Sequence, residues 1–123
     1  MTALGLHLIA DIAGATGLDD CAAIEAALRA AALAAHVTVL DLRLHHFGAD
    51  CGVTGVVLLA ESHISIHTWP EYGFAAVDIF MCGNSQPQRA LEVLQLAFDA
   101  PTSTVKTIAR GLANRTEKKS FTV

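Results

Sequence analysis

A serine, two histidines and a cysteine stand close together in the middle of the sequence. Ser62 and His63 follow an apolar run, His67 comes four residues later, and Cys82 ends the next apolar segment. Hydroxyl, imidazole and thiol groups can act as nucleophile, base and acid in one site. These residue types admit four interpretations: a metal site, a serine hydrolase, a self-cleaving chain, or a polar strand end with satisfied hydrogen bonds.

Spacing and context weigh against the first two interpretations. If His63 and His67 lie on one strand, the rise per residue separates them by roughly 13 Å, too far to share one metal ion directly. Ser62 has no flanking glycines and no strand-to-helix elbow after it, so it lacks the context of a hydrolase nucleophile. We therefore predict no metal ion, and two interpretations remain.

Self-cleavage requires a set of groups that this segment contains. The Ser62 hydroxyl would attack the carbonyl of Glu61 to form an ester, and a base would then remove the serine α-proton and free the upstream chain. The remaining group hydrolyses to a pyruvoyl, which condenses with a substrate amine and accepts electrons from a breaking carbon–carboxylate bond, as pyridoxal phosphate does. A base, an oxyanion partner and an acid are needed, and His67, Thr54 and Cys82 could supply them.

Composition restricts the class of protein. The 123 residues suffice for one domain. A formal charge of −4 with scattered Lys and Arg argues against nucleic-acid binding, which needs a basic face. The longest apolar run, Val56 to Ala60, is too short for a membrane span, and no basic signal region precedes the first strand. We expect a soluble cytoplasmic protein with free thiols and no membrane or nucleic-acid partner.

Hydrophobic periodicity predicts the order β-α-β-β-β-α-β. The strands are expected at residues 5–14, 37–47, 53–62, 74–82 and 102–111. Asp19 or Asp20 is the expected cap of the first helix, and Ser85 with Gln88 forms a predicted capping box for the second. The fold class is therefore α/β of the α+β type: a two-layer sandwich in which two helices cover one face of an antiparallel sheet.

The uncovered sheet face is predicted to be half polar and half apolar. Alternation places these residues on it: Val37, Val39, Asp41, Arg43, Phe47, Asp78, Phe80 and Cys82. Such a face is too apolar to stay wet on a small domain and too charged for an interior. We therefore predict a homodimer that buries it.

The stretch "GVTGVVLLAESHISIHTWPEYGFAAVDIFMCG" resembles the core of the small prokaryotic-type S-adenosylmethionine decarboxylases, pyruvoyl enzymes that supply aminopropyl groups for spermidine synthesis. Weaker similarity runs from "GLHLIADIAG" to "IARG". The resemblance implies that the single domain 1–123 cleaves itself into a β chain, 1–61, and an α chain, 62–123, and then decarboxylates S-adenosylmethionine. It also implies a two-layer sandwich dimerised so that the sites lie between facing sheets.

The resemblance also implies roles for single residues. Ser62 would become the pyruvoyl group that forms the Schiff base, His67 would accept the proton during cleavage, and Cys82 would donate the proton in decarboxylation. Phe47 would lie against the adenine, and Glu71 would bind the ribose.

The chain departs from the family pattern and from simple strand alternation at some positions. Thr54 stands where the family usually has serine, which keeps the hydroxyl on a stiffer side chain. Ser62 and His67 fall on opposite faces of a regular strand, so a bulge or turn is expected between them.

Two alternative functions stay open. A pyruvoyl-dependent decarboxylase of ornithine or arginine would use the same electron sink with different pocket walls. A paralogue that does not process itself would serve as a binding or regulatory subunit, although the intact Ser62, His67 and Cys82 favour an enzyme.

Overall fold

The computed structural model describes residues 3–112 as one antiparallel sheet with two helices. The elements are β1 Gly5–Ala13, α1 Cys21–Ala34, β2 Val39–His46, β3 Val53–Leu59, β4 Ser62–Trp69, a 3-10 turn Pro70–Tyr72, β5 Phe74–Cys82, α2 Pro87–Ala97 and β6 Thr102–Arg110. The strand order is β2-β3-β4-β5-β1-β6. The predicted fold class is confirmed.

Both helices pack on the same sheet face and against each other. Helix α1 buries Ile24 and Leu28, and α2 buries Leu94. Beneath them lie alternate strand residues such as Ile64 and Ile79, both fully buried. The opposite face, which we call the open face, is covered by no element among residues 3–112. None of the described helices has the length and apolar character needed to cross a membrane.

The sheet contains one strand more than predicted. Strand β4 pairs with β3 on one side and β5 on the other, where the sequence interpretation placed a connecting segment. Ile64, Ile66 and Thr68 point into the core, whereas the residues between them lie on the open face. The alternation was present in the sequence, but the serines and histidines concealed it.

The expected bulge between Ser62 and His67 is wrong. The ladder with β3 runs from Ser62 to His67 without a register shift, and the ladder with β5 is equally regular from His63 onward. Instead, β3 and β4 are joined by a tight turn at Ala60 and Glu61, with Leu59 paired to Ser62. The two residues therefore do lie on opposite faces, and no local irregularity brings them together.

A bulge does occur in β2, and it corrects the predicted open face. The register with β3 shifts between Val39 and Asp41. Val39 then pairs with buried Leu59, and both Val39 and Val37 pack against the core rather than lying on the open face. The extra residue in a bulge reverses the alternation on either side of it.

The helix caps match the prediction at α1 only. The Asp20 carboxylate accepts from the Ala23 amide at 3.1 Å, as an N-cap should. The predicted capping box at Ser85 is wrong, because α2 begins at Pro87 with no side-chain cap. The Ser85 hydroxyl instead donates to the carbonyl oxygen of Cys82 at 2.6 Å, which ties the end of β5 to the chain leading into α2.

Candidate active site

The β3–β4 turn contains the bond between Glu61 and Ser62, which self-cleavage would break. Glu61 occupies the second turn position with φ of 57°. This left-handed conformation suits glycine or asparagine and costs other residues roughly 1–2 kcal/mol. The turn therefore stores strain next to the bond between Glu61 and Ser62.

Cys82 lies directly against that bond. Its thiol donates to the main-chain carbonyl oxygen of Glu61 at 2.8 Å, and its Sγ is 3.8 Å from the Ser62 hydroxyl. The Glu61 carboxylate is also near, with Oε2 3.9 Å from Sγ. The sequence predicts Cys82 as an acid, and in the structure its thiol also donates a hydrogen bond that polarises the Glu61 carbonyl.

A cavity of about 640 Å³ opens beside this group. It is lined by Ala3, Leu4, Glu61, Phe80, Cys82, Gly83 and Asn84. A volume of this size is typical of pockets that bind small molecules. We call Glu61, Ser62 and Cys82 with this cavity the cleavage end of the sheet.

The remaining predicted residues lie at the other end of the sheet. His67 and Thr54 are register partners on β4 and β3, and His67 Nδ1 is 3.0 Å from the Thr54 hydroxyl. A second cavity, of about 340 Å³, is lined in part by both side chains. The hydroxyl of Thr54 therefore orients the imidazole.

Phe47 and Glu71 are exposed at this same end. Phe47 follows β2, is 61% exposed, and meets the His45 ring edge-on at 4.6 Å between centroids. Glu71 lies in the 3-10 turn after β4. Phe47, Thr54, His67 and Glu71 together form what we call the imidazole end of the sheet.

The two ends do not meet within one chain. Five residues along a regular strand separate Ser62 from His67, which corresponds to roughly 16 Å. The His67 imidazole also projects from the open face. One protomer therefore contains all the predicted residues, but they form two separate groups at opposite ends of the sheet.

A third polar group on the open face was missed by sequence reasoning. Asp78 Oδ1 is 3.0 Å from His63 Nε2 and accepts from the Ser65 hydroxyl at 3.0 Å, and its Oδ2 is 3.3 Å from His7 Nε2. Alternation placed Asp78 on this face, but no local signal showed that β1 would bring His7 beside it.

The geometry of this group favours hydrogen bonding over metal binding. The ligand atoms of His7, His63 and Asp78 lie within 4.8 Å of one another, close enough for one ion. However, Arg110 Nη1 is 3.2 Å from His7 Nδ1. Because arginine only donates, His7 must carry its proton on Nε2 and donate it to the carboxylate. A metal would need that nitrogen without its proton.

Comparison with known proteins identifies the family to which this chain belongs. The family model described as S-adenosylmethionine decarboxylase matches residues 6–111. The chain belongs to the S-adenosylmethionine decarboxylase family. It is 41% identical over 113 residues to the S-adenosylmethionine decarboxylase proenzyme of Thermomicrobium roseum, covering 91% of this chain and 97% of that protein.

Further members of the family agree in both sequence and fold. The S-adenosylmethionine decarboxylase proenzyme of Acidithiobacillus ferrooxidans is 43% identical over 114 residues, covering 90% of this chain and 85% of the relative. The crystal structure of the adenosylmethionine decarboxylase from Aquifex aeolicus superposes with a TM-score of 0.84 at 34% identity. That match covers 97% of this chain and all of the solved one.

Proposed function

We propose that this chain is a proenzyme that cleaves itself between Glu61 and Ser62 and then decarboxylates S-adenosylmethionine for spermidine synthesis. The observation that carries the proposal is the 2.8 Å hydrogen bond from the Cys82 thiol to the carbonyl of Glu61, beside the Ser62 hydroxyl. Family membership supports it, because the similar bacterial proteins bear the name proenzyme.

Cleavage begins as an acyl shift within the strained turn. The Ser62 hydroxyl attacks the Glu61 carbonyl carbon, and the oxygen gains negative charge that the Cys82 thiol stabilises. The carbon–nitrogen bond breaks, the Ser62 nitrogen takes a proton, and an ester joins the two residues. An imidazole then removes the serine α-proton, the Cβ–oxygen bond breaks, and Glu61 leaves as the carboxylate terminus of chain 1–61.

The residues around Ser62 fit the pyruvoyl group that would remain at the start of chain 62–123. Its source is a serine at a strand end with a thiol 3.8 Å away, and the adjoining cavity has room for a substrate. A bound pyruvoyl group supplies an electrophile that draws electrons from the carboxylate bond of an amino acid. Cys82 then delivers a proton to the substrate carbon, because Cys82 lines this cavity.

A second copy of the chain would complete the site. Ile9, Val56, Leu58, Trp69 and Ile108 all lie on the open face and are 37–50% exposed. An apolar patch of this kind marks an interaction surface on a small domain. In a two-fold dimer with sheets face to face, the cleavage end of one protomer meets the imidazole end of the other.

The substrate would bind between these two ends. Phe47 is exposed enough to stack on the adenine, and the exposed carboxylate of Glu71 can accept hydrogen bonds from the ribose hydroxyls. An ornithine or arginine substrate would leave Phe47 without a partner. The three free thiols suit a reducing cytoplasm, which we propose as the compartment.

Mixing two inactive variants tests the shared site. Neither Ser62→Ala nor His67→Ala should cleave alone, since one lacks the nucleophile and the other the base. In a mixed dimer, Ser62 of the His67→Ala chain meets His67 of the Ser62→Ala chain. The His67→Ala chain should therefore be cut, and the Ser62→Ala chain should stay intact. Chains tagged to different sizes separate the fragments on a denaturing gel. No cleavage in a mixture shown to exchange subunits would refute the shared site.

Carbon dioxide release then separates the enzyme alternatives. We expect the cleaved protein to release CO₂ from S-adenosylmethionine and not from ornithine or arginine. Release of CO₂ from either amino acid, and none from S-adenosylmethionine, would refute the substrate assignment but not the cleavage mechanism. A wild-type chain that never cleaves would instead indicate the regulatory paralogue.

A further inference from the structure

The Phe80 ring occupies a defined place beside the Cys82 thiol. It leans along the open face from β5 onto Gly5, where an added Cβ would come within 2.9 Å of two ring carbons. Gly5 is the register partner of Cys82. Phe80 and Cys82 also line the same cavity. The missing side chain at Gly5 therefore lets the ring form a wall of the cavity next to the thiol.

Two imidazoles flank this ring. The His7 ring meets it edge-on at 5.5 Å between centroids, and the His63 ring is tilted against it at 6.0 Å. Both histidines are register partners of Phe80, on β1 and β4. An aromatic ring on a sheet face can swing between rotamers, and the flanking rings restrict that motion on both sides.

Asp78 fixes both imidazoles. Each Nε2 donates to a different carboxylate oxygen, at 3.0 Å from His63 and 3.3 Å from His7. Arg110 holds the other nitrogen of His7, and its guanidinium carbon lies 5.9 Å from the centroid of the Phe80 ring. Asp78 is only half buried but accepts three side-chain donors. A carboxylate that fixes the side chains around a cavity wall is typical of a residue that supports a site.

We propose that Asp78 is a positioning residue of the decarboxylase: through His7 and His63 it locks Phe80 as the wall that shields the Cys82 thiol and shapes the adjoining part of the substrate pocket. This inference rests on the proposed function for its effect on substrate, but the locking of the ring does not. Asp78 touches neither Ser62 nor Cys82 among its hydrogen-bond partners in the described chain.

Alkylation of Cys82 measures the shielding without any enzyme activity. We would treat uncut chains carrying Ser62→Ala with iodoacetamide and follow the Cys82 peptide by mass spectrometry. Asp78→Asn keeps the side-chain volume but removes an acceptor, and should raise the alkylation rate about two- to tenfold, the effect of freeing one ordered side chain. Phe80→Leu should raise it similarly. The matched control is Asp41→Asn, a carboxylate on the same face whose partner is Arg43.

An unchanged rate in Asp78→Asn, or an equal rise in Asp41→Asn, would overturn the proposal. In chains with Ser62 intact, Asp78→Asn should raise KM for S-adenosylmethionine by a similar factor while chain cleavage proceeds at the wild-type rate. Loss of cleavage together with an unchanged alkylation rate would also overturn it. If the wild type released no CO₂ from S-adenosylmethionine, the proposed function would fail, whereas the alkylation comparison would still decide the role of Asp78.

Discussion

The backbone strain at Glu61 leads to a prediction about the rate of chain cleavage. Its φ of 57° costs a residue with a side chain roughly 1–2 kcal/mol, and glycine avoids this cost. Glu61→Ala removes the carboxylate but keeps the strain, whereas Glu61→Gly removes both. The comparison between these two variants therefore isolates the strain from the charge.

The expected effect follows from how much strain the transition state relieves. If about half of a ~2 kcal/mol strain is relieved as the amide becomes an ester, Glu61→Gly should cleave about fivefold more slowly than Glu61→Ala, since about 1 kcal/mol corresponds to a factor of five. Pulse-labelled cell-free translation followed by denaturing gels gives the half-time of each precursor.

A stability measurement tests whether the turn at Glu61 is strained. In chains also carrying Ser62→Ala, which cannot cleave, relief of ~2 kcal/mol of strain is offset in part by the larger entropy of glycine in the unfolded chain. The glycine variant should therefore unfold at higher denaturant than the alanine variant, by about 1 kcal/mol in free energy of unfolding. Equal stabilities would mean that the turn strain does not exceed the entropic cost of glycine, which would refute the predicted rate difference. Higher stability with equal cleavage rates would mean that the strain exists but does not drive cleavage.

Two further predictions concern the thiol and the aromatic side chain. Cys82→Ala should slow decarboxylation by about 10²–10⁴-fold, because the proton donor is lost, and should also lengthen the cleavage half-time, because the Glu61 carbonyl loses its hydrogen bond. A wild-type rate of CO₂ release in a single-turnover assay would refute Cys82 as the proton donor. Cleavage at the wild-type rate would refute its role in stabilising the oxyanion. Phe47→Ala should raise KM for S-adenosylmethionine by about two- to thirtyfold, the range of one cation–π or stacking contact, with normal cleavage on gels. An unchanged KM would make Phe47 an ordinary strand-end aromatic.

Much of the fold follows from alternation in the sequence. The open face at Asp78, Phe80 and Cys82 was predicted correctly, because β5 is regular and alternates without interruption. The prediction failed at Val39, since a single bulged residue reverses the faces and leaves no mark in composition. It failed at β4 because polar residues such as Ser62 and His67 conceal the hydrophobic alternation that indicates a strand.

The sequence suggested which residues could form the candidate site, but not where each of them lies in the fold. The residue types around Ser62 suggested self-cleavage, and the resemblance supplied the roles. The contact between Cys82 and Glu61 depends on β5 ending beside the β3–β4 turn, which only the strand register shows. The approach of His7 to Asp78 depends on β1 lying next to β5, a pairing between segments 71 residues apart in sequence.

The mass of the purified full-length protein shows whether the chain cleaves itself and converts Ser62 to a pyruvoyl group. We expect two chains: residues 1–61 with a free carboxylate, and residues 62–123 lighter by one ammonia than a chain that begins with serine, as a pyruvoyl terminus requires. Ser62→Ala should give one uncut chain. A wild-type protein that stays uncut under reducing conditions, or one cut at the same bond with serine retained at residue 62, would refute self-cleavage that yields a pyruvoyl group.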